Sequence, residues 1–96
     1  MIILGIDPGM ADTGWAVVES LPGARSRLLG FGVVRTEPPA ALPERLARIH
    51  AGVLALFKEH RPDQMAIEEM FFLKAAHTVR ATLQARGVIL LAAASG

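Results

Sequence analysis

The chain has 96 residues, of which 52% are hydrophobic, so it is long enough for one domain with its own core and is unlike a disordered protein. Lysine and arginine number 10 against 9 acidic residues, and the net charge of +1 excludes a global electrostatic attraction to nucleic acid or to an anionic membrane. The chain has no cysteine, which excludes disulfide frameworks and thiolate metal sites and favours a reducing compartment such as the cytoplasm. Its apolar run Val88–Ala94 is far shorter than the roughly 20 residues that span a bilayer, so we expect no membrane association.

The first part of the chain predicts three strands. Ile2–Asp7 is an almost continuous apolar run, which is typical of a central strand covered on both faces. Pro8-Gly9 favours a turn, and Thr13–Ser20 then predicts a second strand. After the second turn, "LPGARS", the segment Leu28–Arg35 predicts a third strand. Because both turns are short, we expect an antiparallel three-strand meander.

The second part predicts a helix, a short strand and another helix. Pro43 and Glu44 suit the first turn of a helix, and apolar residues recur at helical spacing up to the break at Arg61-Pro62. The segment Asp63–Glu68 is then predicted to be a strand, and a helix is predicted from about Thr78 to Ala94. The fold class is therefore α/β, with a meander and a fourth strand reached through a helix.

Two acidic residues follow strands that this topology brings together. A strand, a crossover helix and a second strand form a right-handed parallel connection, so the fourth strand should run parallel to the first. If the two strands are neighbours, Asp7 and Glu68 lie at adjacent carboxyl ends, about 4.8 Å apart between strands. Two carboxylates so close repel each other unless a cation or a proton lies between them. Oxygen ligands favour Mg²⁺ or Mn²⁺ over zinc, so the spacing predicts a divalent-metal site.

A purely structural interpretation of these acids stays open at this point. An aspartate before Pro-Gly often serves only to form a turn, and Glu68-Glu69 can be two solvated charges after a strand. The spacing of the residues does not decide between these two interpretations.

Three motifs together resemble one known family. The segments "GIDPGMADTGWAVV", "AIEEMFF" and "QARGV" resemble the RuvC family of crossover junction endodeoxyribonucleases, and the resemblance extends over essentially the whole chain. It implies an RNase H-like mixed sheet, a homodimer, and Mg²⁺-dependent hydrolysis of phosphodiesters in four-way DNA junctions by paired symmetric cuts during recombination and repair. Mn²⁺ is a plausible substitute.

The same resemblance implies roles for individual residues. Asp7 matches the first catalytic acid of the family and Glu68 the second, both as metal ligands, with two ions in each complete active site. Branch-migration proteins RuvA and RuvB are implied as further partners.

The chain departs from the family pattern after Glu69. The family has two more catalytic aspartates on a later helix, whereas this sequence has no acidic residue beyond Glu69. We therefore expect residues 1–96 to be a single RNase H-like domain that is incomplete at its C-terminus and stops before the final strand and helix. By itself it is expected to bind divalent metal weakly and to cleave junction DNA poorly.

The segment "MFFLK" directly follows the second acid. Burial is the commoner fate of phenylalanine, but strand alternation should direct Phe71 and Phe72 to different sides. Phe71 matches the aromatic residue of the family that stacks at the junction, so we predict that it faces outward and that Phe72 faces inward. Lys74 is predicted to contact DNA phosphates.

The last predicted helix contains a segment, "GVILLAAA", that is apolar all round. A helix of this kind is buried on more than one face, either by downstream structure or by a second subunit. The resemblance favours a dimer interface that includes Gly87, Leu90, Leu91 and Ala94. Aggregation of an isolated fragment is the alternative.

Two other classes of function remain as alternatives. An actin-like phosphate-binding ATPase also begins with an Asp-Gly hairpin, but it needs a second phosphate-binding hairpin that the sequence does not contain. A catalytically inactive RNase H-like module that binds DNA or protein is the second alternative. Binding to ATP, duplex DNA and four-way DNA distinguishes the three classes.

Overall fold

A computed structural model describes residues 1–68 and 76–96, with the side chains of the last helix described from Arg80 onward. The elements in chain order are β1 (Ile2–Asp7), β2 (Asp12–Leu21), β3 (Arg25–Arg35), α1 (Leu42–His60), β4 (Gln64–Ile67) and α2 (Ala76–Ser95). All six predicted elements are present. The largest difference at an end is in β3, which begins at Arg25 and not at Leu28.

The sheet has the strand order β3-β2-β1-β4. β1 pairs with β2 in antiparallel orientation and with β4 in parallel orientation, and β2 pairs with β3 in antiparallel orientation. The predicted meander with a parallel fourth strand is thus confirmed. β3 and β4 both run parallel to β1, because the crossover helix α1 returns the chain to the edge of the sheet at which β3 begins.

The core lies between one face of the sheet and the two helices. Its buried members are Leu4, Ile6, Met10, Val17, Ile49, Val53, Leu56, Ala85, Ile89 and Ala92. Helix α1 comes close to the sheet at Gly52, where an added Cβ would lie 2.9 Å from Cγ1 of Val34. This contact packs α1 closely against β3.

The opposite face of the sheet is open in the described part of the chain, and we call it the open face. Along β1, Leu4 and Ile6 are buried, but Ile3 and Gly5 are only half-buried and Asp7 is exposed. Phe31, which pairs with Ala16 on this face, is 74% exposed. The prediction that β1 is covered on both faces is therefore wrong for the described residues, because α1 and α2 both contribute to the same core.

Helix α2 has a buried and an exposed apolar side. Ala85, Ile89 and Ala92 belong to the core, whereas Leu90 is 41% and Leu91 59% exposed. Within the described residues, neither helix combines the length and the hydropathy needed to cross a lipid bilayer.

Candidate metal and DNA site

The two predicted acids lie at the same edge of the sheet. β1 and β4 are in register as far as the pair Ile6 and Ile67, after which Asp7 is the last residue of β1 and Glu68 is the next residue after β4. The main-chain N–H of Glu68 donates to the carbonyl of Ile6 at 3.0 Å, so the ladder continues to the acid itself. Asp7 and Glu68 therefore occupy neighbouring positions at the ends of β1 and β4, as predicted.

Strand alternation places both acids on the open face. Residues that pair across a parallel ladder share a face, and Leu4 and Ile6 pair with Met65 and Ile67 on the core side. The following register position, which holds Asp7 and Glu68, is on the opposite side. Both residues are exposed, so a solvated cation or a DNA phosphate can approach them.

Gly14 leaves room beside Asp7. It is the partner of Asp7 in β2, and a Cβ added to Gly14 would lie 3.9 Å from Cβ of Asp7. That separation is an ordinary van der Waals contact, so alanine would fit at position 14, whereas a longer side chain would extend beside the Asp7 carboxylate.

The β1–β2 turn after Asp7 is closed by Thr13. The Thr13 hydroxyl donates to the carbonyl of Gly9 at 2.7 Å and accepts from the N–H of Gly9 at 3.3 Å. Thr13 is fully buried, so water does not compete for these bonds. These hydrogen bonds therefore fix the path of the main chain after Asp7.

The donor set fits a magnesium-type cation bound together with substrate. Mg²⁺ prefers oxygen ligands, keeps several waters, and is typically held by one or two carboxylates together with substrate phosphates. Asp7 and Glu68 supply two carboxylates on one face. The part of the chain that the structure describes contains no cluster of three or more His, Cys, Asp or Glu residues arranged to hold a metal.

The other predicted site residues divide into two groups. Phe71, Phe72 and Lys74 lie outside the described residues. Gly87, Leu90, Leu91 and Ala94 are all exposed on α2, on the side away from the core.

Comparison with known proteins identifies the family. The family model described as crossover junction endodeoxyribonuclease RuvC matches residues 3–96 of the chain. The chain belongs to the RuvC family. RuvC of Desulforamulus reducens is 46% identical over 95 residues, which cover 99% of this chain and 58% of that protein. RuvC of Moorella thermoacetica is 48% identical over 94 residues, covering 98% of this chain and 56% of that protein.

Solved structures of RuvC have the same fold. Thermus thermophilus RuvC in complex with a Holliday junction substrate superposes with a TM-score of 0.92 and 37% identity, covering 99% of this chain and 60% of that chain. A second Thermus thermophilus RuvC structure gives a TM-score of 0.88 at 38% identity. The predicted RNase H-like mixed sheet is confirmed. The chain spans little more than half the length of the curated RuvC relatives it matches.

Family membership excludes one of the two alternative functions considered from the sequence. The RuvC match includes the segments of both Asp7 and Glu68, so the actin-like ATPase interpretation is wrong. Sequence reasoning missed the polar residues that hold the β1–β2 turn, notably Thr36 and Arg45. No local pattern marks them, because Thr36 binds a carbonyl 26 residues earlier in the chain.

Proposed function

We propose that the chain carries part of the active site of a metal-dependent endonuclease that resolves four-way DNA junctions. The observation that carries this proposal is the common face and adjacent register of Asp7 and Glu68 in a RuvC-family sheet. Its RuvC structural neighbour is in complex with a Holliday junction substrate, which supports the substrate class.

In this mechanism Asp7 and Glu68 act as ligands and not as general bases. Their carboxylates are on solvent-exposed residues, where they can offer oxygen atoms to Mg²⁺, with Mn²⁺ as a substitute. Asp7 and Glu68 would hold part of a pair of ions in each complete site, and the ions would supply positive charge to stabilise the phosphate and the leaving 3′ oxygen. The β1–β4 ladder keeps the two carboxylates together, so little ordering is required when the substrate binds.

Phe71 and Lys74 are the proposed DNA contacts beside the metal site. Both follow Glu68, a proposed metal ligand, within six residues of the sequence. An exposed phenylalanine stacks on an unpaired base at a junction, and a lysine binds the backbone phosphates.

We expect the chain to bind a four-way junction more tightly than duplex DNA of the same arm sequence, and to bind no ATP.

Phe71→Ala should reduce the binding free energy for the junction by about 1–3 kcal/mol, because one stacked base is lost. Electrophoretic mobility shift and fluorescence anisotropy at several salt concentrations measure both effects, since the phosphate contacts depend on salt.

Phe31→Ala is the matched control for that experiment. Phe31 is 74% exposed on β3, so its substitution removes exposed aromatic surface at a position far from Phe71 in the sequence. Equal affinity for four-way and duplex DNA would contradict junction selectivity. Equal effects of the two alanine variants would contradict the role of Phe71.

The exposed apolar side of α2 is proposed as the interface of a homodimer. Leu83, Gly87, Leu90 and Ala94 recur at spacings of four and three residues, which is the pattern of a helix that pairs with another helix. A Cβ at Gly87 would meet no atom within 4 Å, so a partner helix can approach closely. A dimer would direct two sites to opposed strands and produce paired cuts.

Leu90→Asp is expected to convert the dimer into a monomer, because it buries an unpaired charge in an apolar interface. Sedimentation equilibrium over a range of protein concentrations measures the change. Ala55→Asp adds the same charge at an exposed position of α1, outside the proposed interface, and should leave the dimer intact. A monomeric parent chain, or a dimeric Leu90→Asp variant, would be incompatible with this interface.

The remaining parts of the proposal come from the family resemblance. A junction nuclease acts on DNA during recombination and repair, which fits a cytoplasmic protein without cysteine. RuvA and RuvB are the proposed branch-migration partners.

A further inference from the structure

Thr36 holds two consecutive carbonyls of the β1–β2 turn. It directly follows β3, and its hydroxyl donates to the carbonyl of Met10 at 2.5 Å. Its main-chain N–H donates to the carbonyl of Ala11 at 2.9 Å. Thr36 is 1% exposed, so these bonds form away from competing water.

The side chain of Arg45, in α1, donates two hydrogen bonds to Thr36. Its Nε donates to the Thr36 hydroxyl oxygen at 3.0 Å, and its Nη2 donates to the Thr36 carbonyl at 3.4 Å. A hydroxyl has one hydrogen to donate. Because the Thr36 oxygen accepts from Arg45, its own hydrogen is directed to Met10.

These contacts connect the helix layer to the turn after Asp7. Asp7 is exposed, so its place depends on the backbone on its two sides, which are the β1 ladder before it and the turn after it. The turn is held from one side by Thr13 and from the other by Thr36. Arg45 adds a planar guanidinium that bonds Thr36 at two atoms, a geometry that lysine does not reproduce.

We propose that Thr36 and Arg45 are positioning residues for Asp7, which they hold in the direction needed to bind a divalent cation with Glu68. The inference rests on the proposed function, because it assigns these residues to the same metal site. It extends that site beyond its metal ligands to a series of hydrogen bonds. The series runs from Arg45 in α1 through Thr36 to the carbonyl of Met10 in the β1–β2 turn. Outer-shell partners of this kind commonly change metal affinity when they are removed.

Two substitutions interrupt this series of hydrogen bonds, one at Arg45 and one at Thr36. Arg45→Met removes both donors but keeps an unbranched apolar stem. Thr36→Val removes the hydroxyl and keeps the branched shape, whereas Thr36→Ser keeps the hydroxyl. Arg48→Met is the matched control, since Arg48 is on the same helix and pairs at 3.0 Å with exposed Glu44.

The experiment titrates Mg²⁺ into the isotope-labelled chain and follows the amide signals of Asp7 and Glu68 by NMR. Urea unfolding first establishes the conditions in which every variant is fully folded. We expect Arg45→Met and Thr36→Val to raise the dissociation constant about tenfold, and Thr36→Ser and Arg48→Met to leave it unchanged. If Arg45→Met does not fold, Arg45→Lys compared with Arg48→Lys makes the same test.

Amide hydrogen exchange provides a second readout without metal. In Arg45→Met the Thr36 amide, which donates to Ala11, should exchange faster. The Glu68 amide, which donates to Ile6 in the β1–β4 ladder, should not.

The outcomes separate this inference from the proposed function. Metal binding in the parent chain that both Arg45→Met and Thr36→Val leave unchanged would overturn the positioning role and leave the metal site standing. Absence of Mg²⁺-dependent shifts at both Asp7 and Glu68 in the parent chain would overturn the metal site, and with it the positioning role. Weaker binding only in proportion to lost folding would also overturn the positioning role, because the effect would then be one of stability.

Discussion

Asp7→Asn is expected to weaken Mg²⁺ binding by at least about tenfold, because even partners outside the ligand shell contribute about 10–100-fold. Asparagine keeps the size of the side chain but removes one of the two negative charges at the end of the β1–β4 pair. The remaining carboxylate of Glu68 then holds the ion alone. Calorimetric titration with Mg²⁺ and with Mn²⁺ measures the loss.

The matched control for Asp7→Asn is Asp63→Asn at the other end of the same strand pair. The Oδ2 atom of Asp63 accepts from the N–H of Ile2 at 2.8 Å, and an asparagine oxygen can accept the same bond. Asp63→Asn should therefore leave metal affinity unchanged. Similar losses in the two variants would mean that general charge, and not the paired site, determines binding.

The cleavage of four-way DNA tests whether Asp7 and Glu68 alone form an active site. Asp7 and Glu68 are the two ligands proposed in the chain, and the family resemblance implies two more aspartates in a complete site. We expect little cleavage of four-way DNA by the chain at saturating Mg²⁺. Strong cleavage that Asp7→Asn abolishes would show that the two carboxylates are sufficient, contrary to this expectation.

Gly9→Ala is expected to lower the free energy of unfolding by about 1–3 kcal/mol, which is typical of overpacking. A Cβ at Gly9 would lie 2.3 Å from the main-chain oxygen of Asp12, so the backbone of the β1–β2 turn has to move. That movement also separates Gly9 from the Thr13 hydroxyl, which binds both its carbonyl and its N–H. Urea unfolding followed by circular dichroism measures the change.

Gly87→Ala is the control for the same substitution in open space. A Cβ at Gly87 meets nothing within 4 Å, and alanine is favoured over glycine inside a helix by up to about 1 kcal/mol. At protein concentrations at which the chain is monomeric, Gly87→Ala should therefore stabilise it slightly. If Gly9→Ala and the parent chain have equal free energies of unfolding, Gly9 is not packed closely against the main-chain oxygen of Asp12.

The fold followed from sequence because its signals are local. The apolar run of β1, the turn residues Pro8-Gly9 and the helical spacing of α1 each act within a few residues. The short turns forced an antiparallel meander, and the crossover helix forced a parallel fourth strand. The neighbouring positions of Asp7 and Glu68 then required only that β1 and β4 pair, and they do.

The burial of β1 was not predictable from its own residues. Its apolar composition fits a strand covered on both faces, yet α1 and α2 pack on the same side of the sheet and leave the other side open in the described part of the chain. Burial depends on where separate elements dock, and no residue of β1 encodes that choice.

The sequence by itself determined the order of the elements, the meander and the two acids at strand ends. The tertiary structure alone decided which face of the sheet the helices cover and which distant side chains hold the turn after Asp7. Thr36 and Arg45 reach that turn through contacts that span 26 and 9 residues of the chain. Such bonds depend on the distance between folded elements and not on neighbouring residues, so sequence patterns do not reveal them.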